Sequence, residues 1–290
     1  MPVALVTDST ASLPEGFADE HGVVVVPLQV VIGTTSFDEG SEEASPAVVA
    51  KALREKVPVS TSRPTPRVMR AVYEQAAASG ATAVVSVHLS ADLSGTFESA
   101  QLAAQEASLP VEVVDSRQVG PSLGFAVMTA AARVADGGAP ADVAEAARSR
   151  ALATTSLFYV DTLEYLRRGG RIGAARAMLG SALAVKPILA LQDGRVGPLE
   201  RVRTSGRALA RLEDLAVEAG TRGTGGTGGT VDVAVSHLAA AERAEHLAAS
   251  LATRLEGALE GRPVHVSELG GVLGAHVGPG FVAVSVAPVV

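Results

Sequence analysis

The sequence predicts an α/β protein made of two α/β domains. Residues 1–155 form a mostly parallel sheet flanked by helices, and residues 156–290 a smaller mixed sheet with helices, with a ligand cleft between the two. Three observations carry this reading. The first half alternates short apolar runs with helical stretches of small residues, and those runs lack period-two alternation, as strands covered on both faces do. Past about residue 155 the texture changes, and an Asp-Gly hairpin signal appears among further strands and helices. Finally, the runs in the first half end in "TDST", "VHLSADLSGT" and "VVDSRQ", small polar segments at the strand ends where open α/β sheets bind ligands.

Taken in order, "VALVTDS" reads as a strand and "GVVVVPLQVVI" as the next extended segment, followed by a helix through "SPAVVAKALREK". "VSTSRPTP" reads as a stiff loop. Pro66 suits the first turn of the next helix, with Thr65 as its cap, and "RVMRAVYEQAAASG" shows helical spacing and a glycine stop. "TAVVSVHLS" and "VEVVDS" are strands, with "FESAQLAAQEA" and "GFAVMTAAARVADGG" as helices. In the second half, "SLFYVDTLEYLRRGGRIGAARAMLGSALAVKPILAL" reads as two helical segments around Gly-Gly, then a strand from near Val185. "DGRVGPLERVRT" is a hairpin, "GRALARLEDLAVEAG" a helix, and "TRGTGGTGGT" a flexible loop over 221–230. "VDVAVSHL", "AAERAEHLAASLATRLEGAL", "PVHVSEL" and "GFVAVSVAPVV" complete the second unit.

Composition narrows the function classes. The chain has no cysteine, so disulfides, iron–sulfur clusters, thiolate zinc sites and a Cys nucleophile are excluded. Aromatic residues make up 3% and the formal charge is −7, which argues against a nucleic-acid partner. No signal peptide and no membrane-length apolar stretch is seen, so a cytoplasmic protein is expected. The histidines His21, His88, His237, His246, His265 and His276 show no metal-ligand spacing, so no metal is expected. No P-loop occurs, and Gly223-x-Gly225-x-x-Gly228 follows a helix and precedes a strand, the reverse of a dinucleotide site.

The candidate binding residues are hydroxyls at element starts. Ser94-Gly95-Thr96 sits between a strand and a helix, where free backbone N–H groups attract anions. Thr61 and Ser62 project from the loop before another helix, and both loops are read as strand-to-helix connections of one sheet. Such hydroxyls suit a carboxylate better than a triphosphate, which usually recruits Lys, Arg or magnesium. His276, beside Gly278-Pro279-Gly280, could donate a hydrogen bond into the cleft or bond only to local backbone. "GPSLG" around Ser122 matches a hydrolase elbow in letters, but lies several residues past its strand.

"VTDSTASLP", "TSRPTP", "LSADLSGTFESA", "VVDS", "LEYLRRGGRIG", "LGSALAVKPIL" and "HVGPG" occur in this order along nearly the whole chain. Together they resemble the DegV family of bacterial lipid-binding proteins. The resemblance implies two domains enclosing one long-chain fatty acid in a tunnel. It implies no catalytic residue and no cofactor beyond that ligand. The implied partner is a separate ATP-dependent kinase that phosphorylates the bound carboxylate, with transient membrane contact. By motif, Thr61, Ser94 and His276 would bind the carboxylate. Ser62, Gly95, Thr96 and Arg171 would lie near the head group or the kinase contact. Arg63, where the family often has Gln, and the Gly/Thr loop depart from the pattern. A serine hydrolase using Ser122 or Ser94, and a module for small anionic metabolites in the same cleft, remain the alternatives.

Overall fold

The computed structural model describes residues 2–178, 186–222 and 229–289. The first half runs β1 (Val3–Asp8), α1 (Phe17–Glu20), β2 (Val23–Val26), β3 (Gln29–Ile32), β4 (Thr35–Asp38), α2 (Pro46–Arg54), β5 (Val59–Ser62), α3 (Pro66–Ala78), β6 (Ala83–His88), α4 (Thr96–Gln105), β7 (Val111–Asp115), α5 (Pro121–Ala135) and α6 (Pro140–Ala153). The second half runs α7 (Glu164–Arg168), reached from β8 (Thr155–Tyr159), then β9 (Lys186–Gln192), β10 (Arg195–Val202), α8 (Ser205–Arg222), β11 (Val231–His237), α9 (Ala241–Arg254), α10 (Glu256–Leu259), β12 (Val264–Glu268), α11 (Gly271–Val277) and β13 (Val282–Pro288).

The parallel sheet has the order β2-β1-β6-β7. Its strands read as continuous apolar runs because successive side chains enter two different cores. Val6 and Val84 meet Met69 and Tyr73 of α3, while Leu5, Val85 and Val87 meet Leu123 of α5 and Val143 of α6. Every residue of β6 is buried.

"GVVVVPLQVVI" is not one extended element. Pro27, with no N–H to donate, separates β2 from β3, and β3 joins a second, three-stranded antiparallel sheet of order β4-β3-β5. The "VSTS" stretch read as loop is β5 of that small sheet, so Thr61 and Ser94 do not belong to one sheet. Thr65 caps α3 as expected, accepting from Val68 N at 3.3 Å.

The C-terminal sheet is mixed, as expected, but it is the wider of the two main sheets. Its six strands run β10-β9-β8-β13-β11-β12, against four in the parallel sheet, and only β11–β12 pair in parallel. "SLFYV" is strand β8 and not helix. Leu157 and Tyr159 face the core under α8 and α9, while Phe158 and Val160 face the first half of the chain. With both faces buried no polar period shows, and a short apolar run is then ambiguous between helix and strand. The Asp193-Gly194 hairpin is present, with φ of +48° and +81°, as a type I′ turn requires. The strand start near Val185 and most of the Gly/Thr loop lie outside the described residues. Among the described residues, no helix is long and apolar enough to cross a membrane.

Candidate functional site

The site is assembled from the N-terminal motif outward. Asp8, at the end of β1, is wholly buried and accepts four hydrogen bonds. These come from Thr10 N at 3.1 Å, Thr10 Oγ1 at 2.6 Å, Leu89 N at 3.0 Å and His88 Nδ1 at 2.9 Å. Behind His88 the chain continues: Tyr73 donates to Ser86 at 2.9 Å, and Ser86 lies 2.7 Å from His88 Nε2. This network ties β1 to β6 and sets the loop that carries Ser94.

The next residue reaches the other side of the site. Ser9 accepts from Leu28 N at 3.0 Å and donates to Glu39 Oε2 at 2.5 Å, while Glu39 Oε1 accepts from Val272 N at 2.7 Å. Val272 is in the first turn of α11, so Glu39 holds the start of the helix that carries His276. A β-carbon on Gly270 would lie 2.3 Å from that carboxylate oxygen. Burial pushes the Glu39 carboxyl above its usual range, against the lowering effect of the Ser9 and Val272 bonds.

At the far end of α11, His276 Nε2 lies 2.9 Å from Thr61 Oγ1. Its Nδ1 is buried without a partner. A proton on Nδ1 would bury an unsatisfied donor, at about 1–3 kcal/mol, so the proton is assigned to Nε2. Thr61 then accepts from His276 and keeps its own hydroxyl proton free to donate. The ring fits because position 169 is glycine: a β-carbon there would stand 2.2 Å from Nδ1. Arg171 donates from Nη1 to Gly169 O at 2.6 Å and from Nε to Leu93 O at 2.9 Å, which places it between the imidazole and Ser94.

Thr61, Ser94, Arg171 and His276 line one channel. All four are partly exposed, whereas the apolar wall continues inward over buried Phe158, Leu269 and Phe281. The channel encloses about 890 Å³ of space free of protein atoms, a figure that includes the solvent at its mouth. Arg171 adds a fixed cation to what the sequence suggests as neutral donors alone.

Burial first, and the Arg171 charge second, lower the His276 pKa to about 4. The unfolded chain, with an ordinary imidazole near 6.5, therefore binds more protons than the native state between these values. Stability from this group is complete above pH 6.5 and falls as pH drops toward 4. His276→Gln is expected to flatten the pH dependence of the urea midpoint across that window. An unchanged slope would show that the imidazole is not desolvated.

The remaining expected residues lie outside the channel wall. Ser62 is exposed, on the opposite side of β5 from Thr61, and its hydroxyl reaches only Arg63 O at 3.4 Å. Gly95, and not Ser94, is the N-cap of α4, with an ordinary φ of −74°. The room beside it is taken by a side chain: a β-carbon would lie 1.5 Å from the Arg63 guanidinium, which donates to Gly95 O and Glu98. Thr96 is buried and supports Ser94, which accepts from its N–H at 3.3 Å and lies 2.9 Å from its hydroxyl. Ser122 is buried among Ser156 and Ser285, with no imidazole in reach among the described residues. Sequence reading missed Ser9, Glu39 and Gly169. Glu39 lies within "FDEGSEEAS", and nothing local marks it as the partly buried member that bonds Ser9 and Val272.

A sequence profile described as "Uncharacterised protein, DegV family" matches residues 2–289. The chain belongs to the DegV family. A DegV domain-containing protein of Streptomyces coelicolor is 50% identical over 284 residues, covering 98% of each chain. Among solved structures, a fatty-acid-binding DegV family protein from Thermus thermophilus superposes with a TM-score of 0.87 at 32% identity, covering 100% of both chains. DegV of Bacillus subtilis, described as a fatty acid binding protein, superposes with a TM-score of 0.86 at 29% identity, again over 100% of both chains. The same DegV architecture thus holds the channel and its polar patch here.

Proposed function

We propose that this protein binds one long-chain fatty acid in the channel and presents its carboxylate to a separate ATP-dependent kinase, without catalysing a reaction itself. The observation that carries the reading is the meeting of Thr61, Ser94, Arg171 and His276 at the exposed end of a largely apolar channel. Fatty-acid binding by DegV relatives of the same fold supports it. Burying the tail contributes about 0.8 kcal/mol per methylene. The carboxylate resists burial unless hydrogen-bonded or paired, and here Thr61 and Ser94 offer hydroxyls while Arg171 supplies charge. A head group seated at the partly exposed end keeps an oxygen accessible to a phosphoryl donor on another protein. Neither Ser94 nor Ser122 has a general base within hydrogen-bond reach among the described residues, which disfavours the hydrolase alternative.

Organic extraction of the purified protein, followed by mass spectrometry, is expected to release a long-chain fatty acid. The delipidated protein should rebind stearate and, with a fatty acid kinase and ATP, support acyl phosphate formation. A protein that neither carries nor rebinds fatty acid would refute the binding role. One that binds stearate but never supports phosphorylation would refute the presenting role alone.

A further inference from the structure

The floor of the channel is not uniformly apolar. It is one face of the C-terminal sheet, and strand alternation says which side chains point into it. Val233, Val235, Val282 and Val284 pack under α8 and α9, so Ser236, Phe281, Ala283 and Ser285 face the channel side. Cross-strand register arranges that face in rows. Leu238 and Phe281 adjoin α11, since Leu238 touches Gly274 of that helix. Next comes the row Phe158–Ala283–Ser236, and beyond it Ser156–Ser285–Ala234. Each row lies about 6.6 Å further from the helix of His276.

One hydroxyl on this floor has a spare donor. Ser236 is 2% exposed, lines the channel, and has no hydrogen-bond partner for its hydroxyl among the described residues. Ser285 is 4% exposed and accepts from Ser122 at 2.7 Å. Ser122 also lies 2.6 Å from Ser156, so its one proton serves both contacts and the Ser285 hydroxyl is tied into the cluster. Ser156 closes the cluster by donating to Gln118 Oε1 at 2.7 Å. An unbranched hydrocarbon tail lying over this floor would leave the Ser236 donor unsatisfied and shut away from water, which is costly.

We infer that the channel selects acyl chains bearing a hydrogen-bond acceptor, such as a hydroxyl oxygen, along the chain where it crosses Ser236. This specificity rests on the fatty-acid reading above and sharpens it: oxygenated long-chain acids, and not plain saturated ones, are the preferred ligands. The head-group residues hold the carboxylate in either case. The Ser236 hydroxyl decides which tail fits without loss.

The test is competition for the delipidated full-length protein between stearate and a series of monohydroxystearates that differ only in hydroxyl position. The isomer whose hydroxyl reaches Ser236 is expected to bind roughly fivefold or more tightly than stearate, with isomers hydroxylated elsewhere binding more weakly than that one. Ser236→Ala, checked for a native thermal transition, should bind stearate more tightly than the natural protein and lose much of the preference. If stearate binds and no isomer exceeds it, the inference is overturned while the fatty-acid reading stands. A preference that survives Ser236→Ala also overturns it. If neither stearate nor any isomer binds, the fatty-acid reading itself has failed.

Discussion

Gly169→Ala is expected to weaken fatty-acid binding by about 10–100-fold while leaving the fold in place, as read by displacement of a fluorescent fatty acid. Gly169 ends α7 with φ of −71° and ψ of −11°, a conformation alanine adopts freely, so the backbone is not strained. The new methyl would instead stand 2.2 Å from His276 Nδ1 and push the ring away from Thr61. Thr61 would then lose the donor that orients its hydroxyl, which is proposed to donate to the carboxylate. The weakened contact of Thr61 with a charged carboxylate is worth about 1.5–3 kcal/mol. The double variant with His276→Ala should bind no worse than His276→Ala alone, because the clash needs the ring. Unaltered affinity in Gly169→Ala would show that His276 plays no part in holding the ligand.

Asp8→Ala is expected to be the most destabilising single substitution near the site, costing about 4 kcal/mol or more in chemical denaturation. Four buried donors converge on that carboxylate, and removing it leaves each without an acceptor in a region closed to water. The loss also frees the Tyr73–Ser86–His88 chain behind it, where burial already pushes the tyrosine pKa up to about 12. Asp8→Asn should cost less, since the amide oxygen still accepts on one side, although its NH2 then faces a donor. A loss under about 1 kcal/mol for Asp8→Ala would mean that these donors find other partners.

The two substitutions act on different parts of one construction. Asp8 secures the parallel sheet and the loop bearing Ser94, whereas Gly169 shapes the seat for a ring carried by a helix far along the chain. Between them runs the Ser9–Glu39–Val272 connection, which anchors α11 to the N-terminal motif. The "VTDST" opening thus has a structural role in the site without supplying a group that faces the channel.

The parallel sheet, its flanking helices and the Asp193-Gly194 hairpin were legible because each is specified locally. Apolar runs, helical spacing, caps and a turn needing positive φ leave marks within a few residues. Thr61, Ser94, Arg171 and His276 were legible through their motifs, and the fold brings those four together. Ser62, Gly95 and Thr96 share the same motifs, yet strand alternation turns Ser62 outward and Arg63 fills the space beside Gly95. Strand β8 and the burial of Glu39 left no local mark, since both faces of β8 are covered and Glu39 looks like its exposed neighbours.

What the chain's own residues determined was the kind of site: short polar segments at strand ends, an aliphatic interior, no cysteine and no nucleotide-binding loop. Tertiary structure alone decided which hydroxyls meet, that a glycine makes room for the imidazole, that a guanidinium stands between His276 and Ser94, and that serines face the channel floor. The physical reason is range. Secondary structure and caps depend on neighbours within a turn or two, whereas the Thr61–His276 contact joins residues 215 positions apart, and such a distance is set only when whole sheets pack.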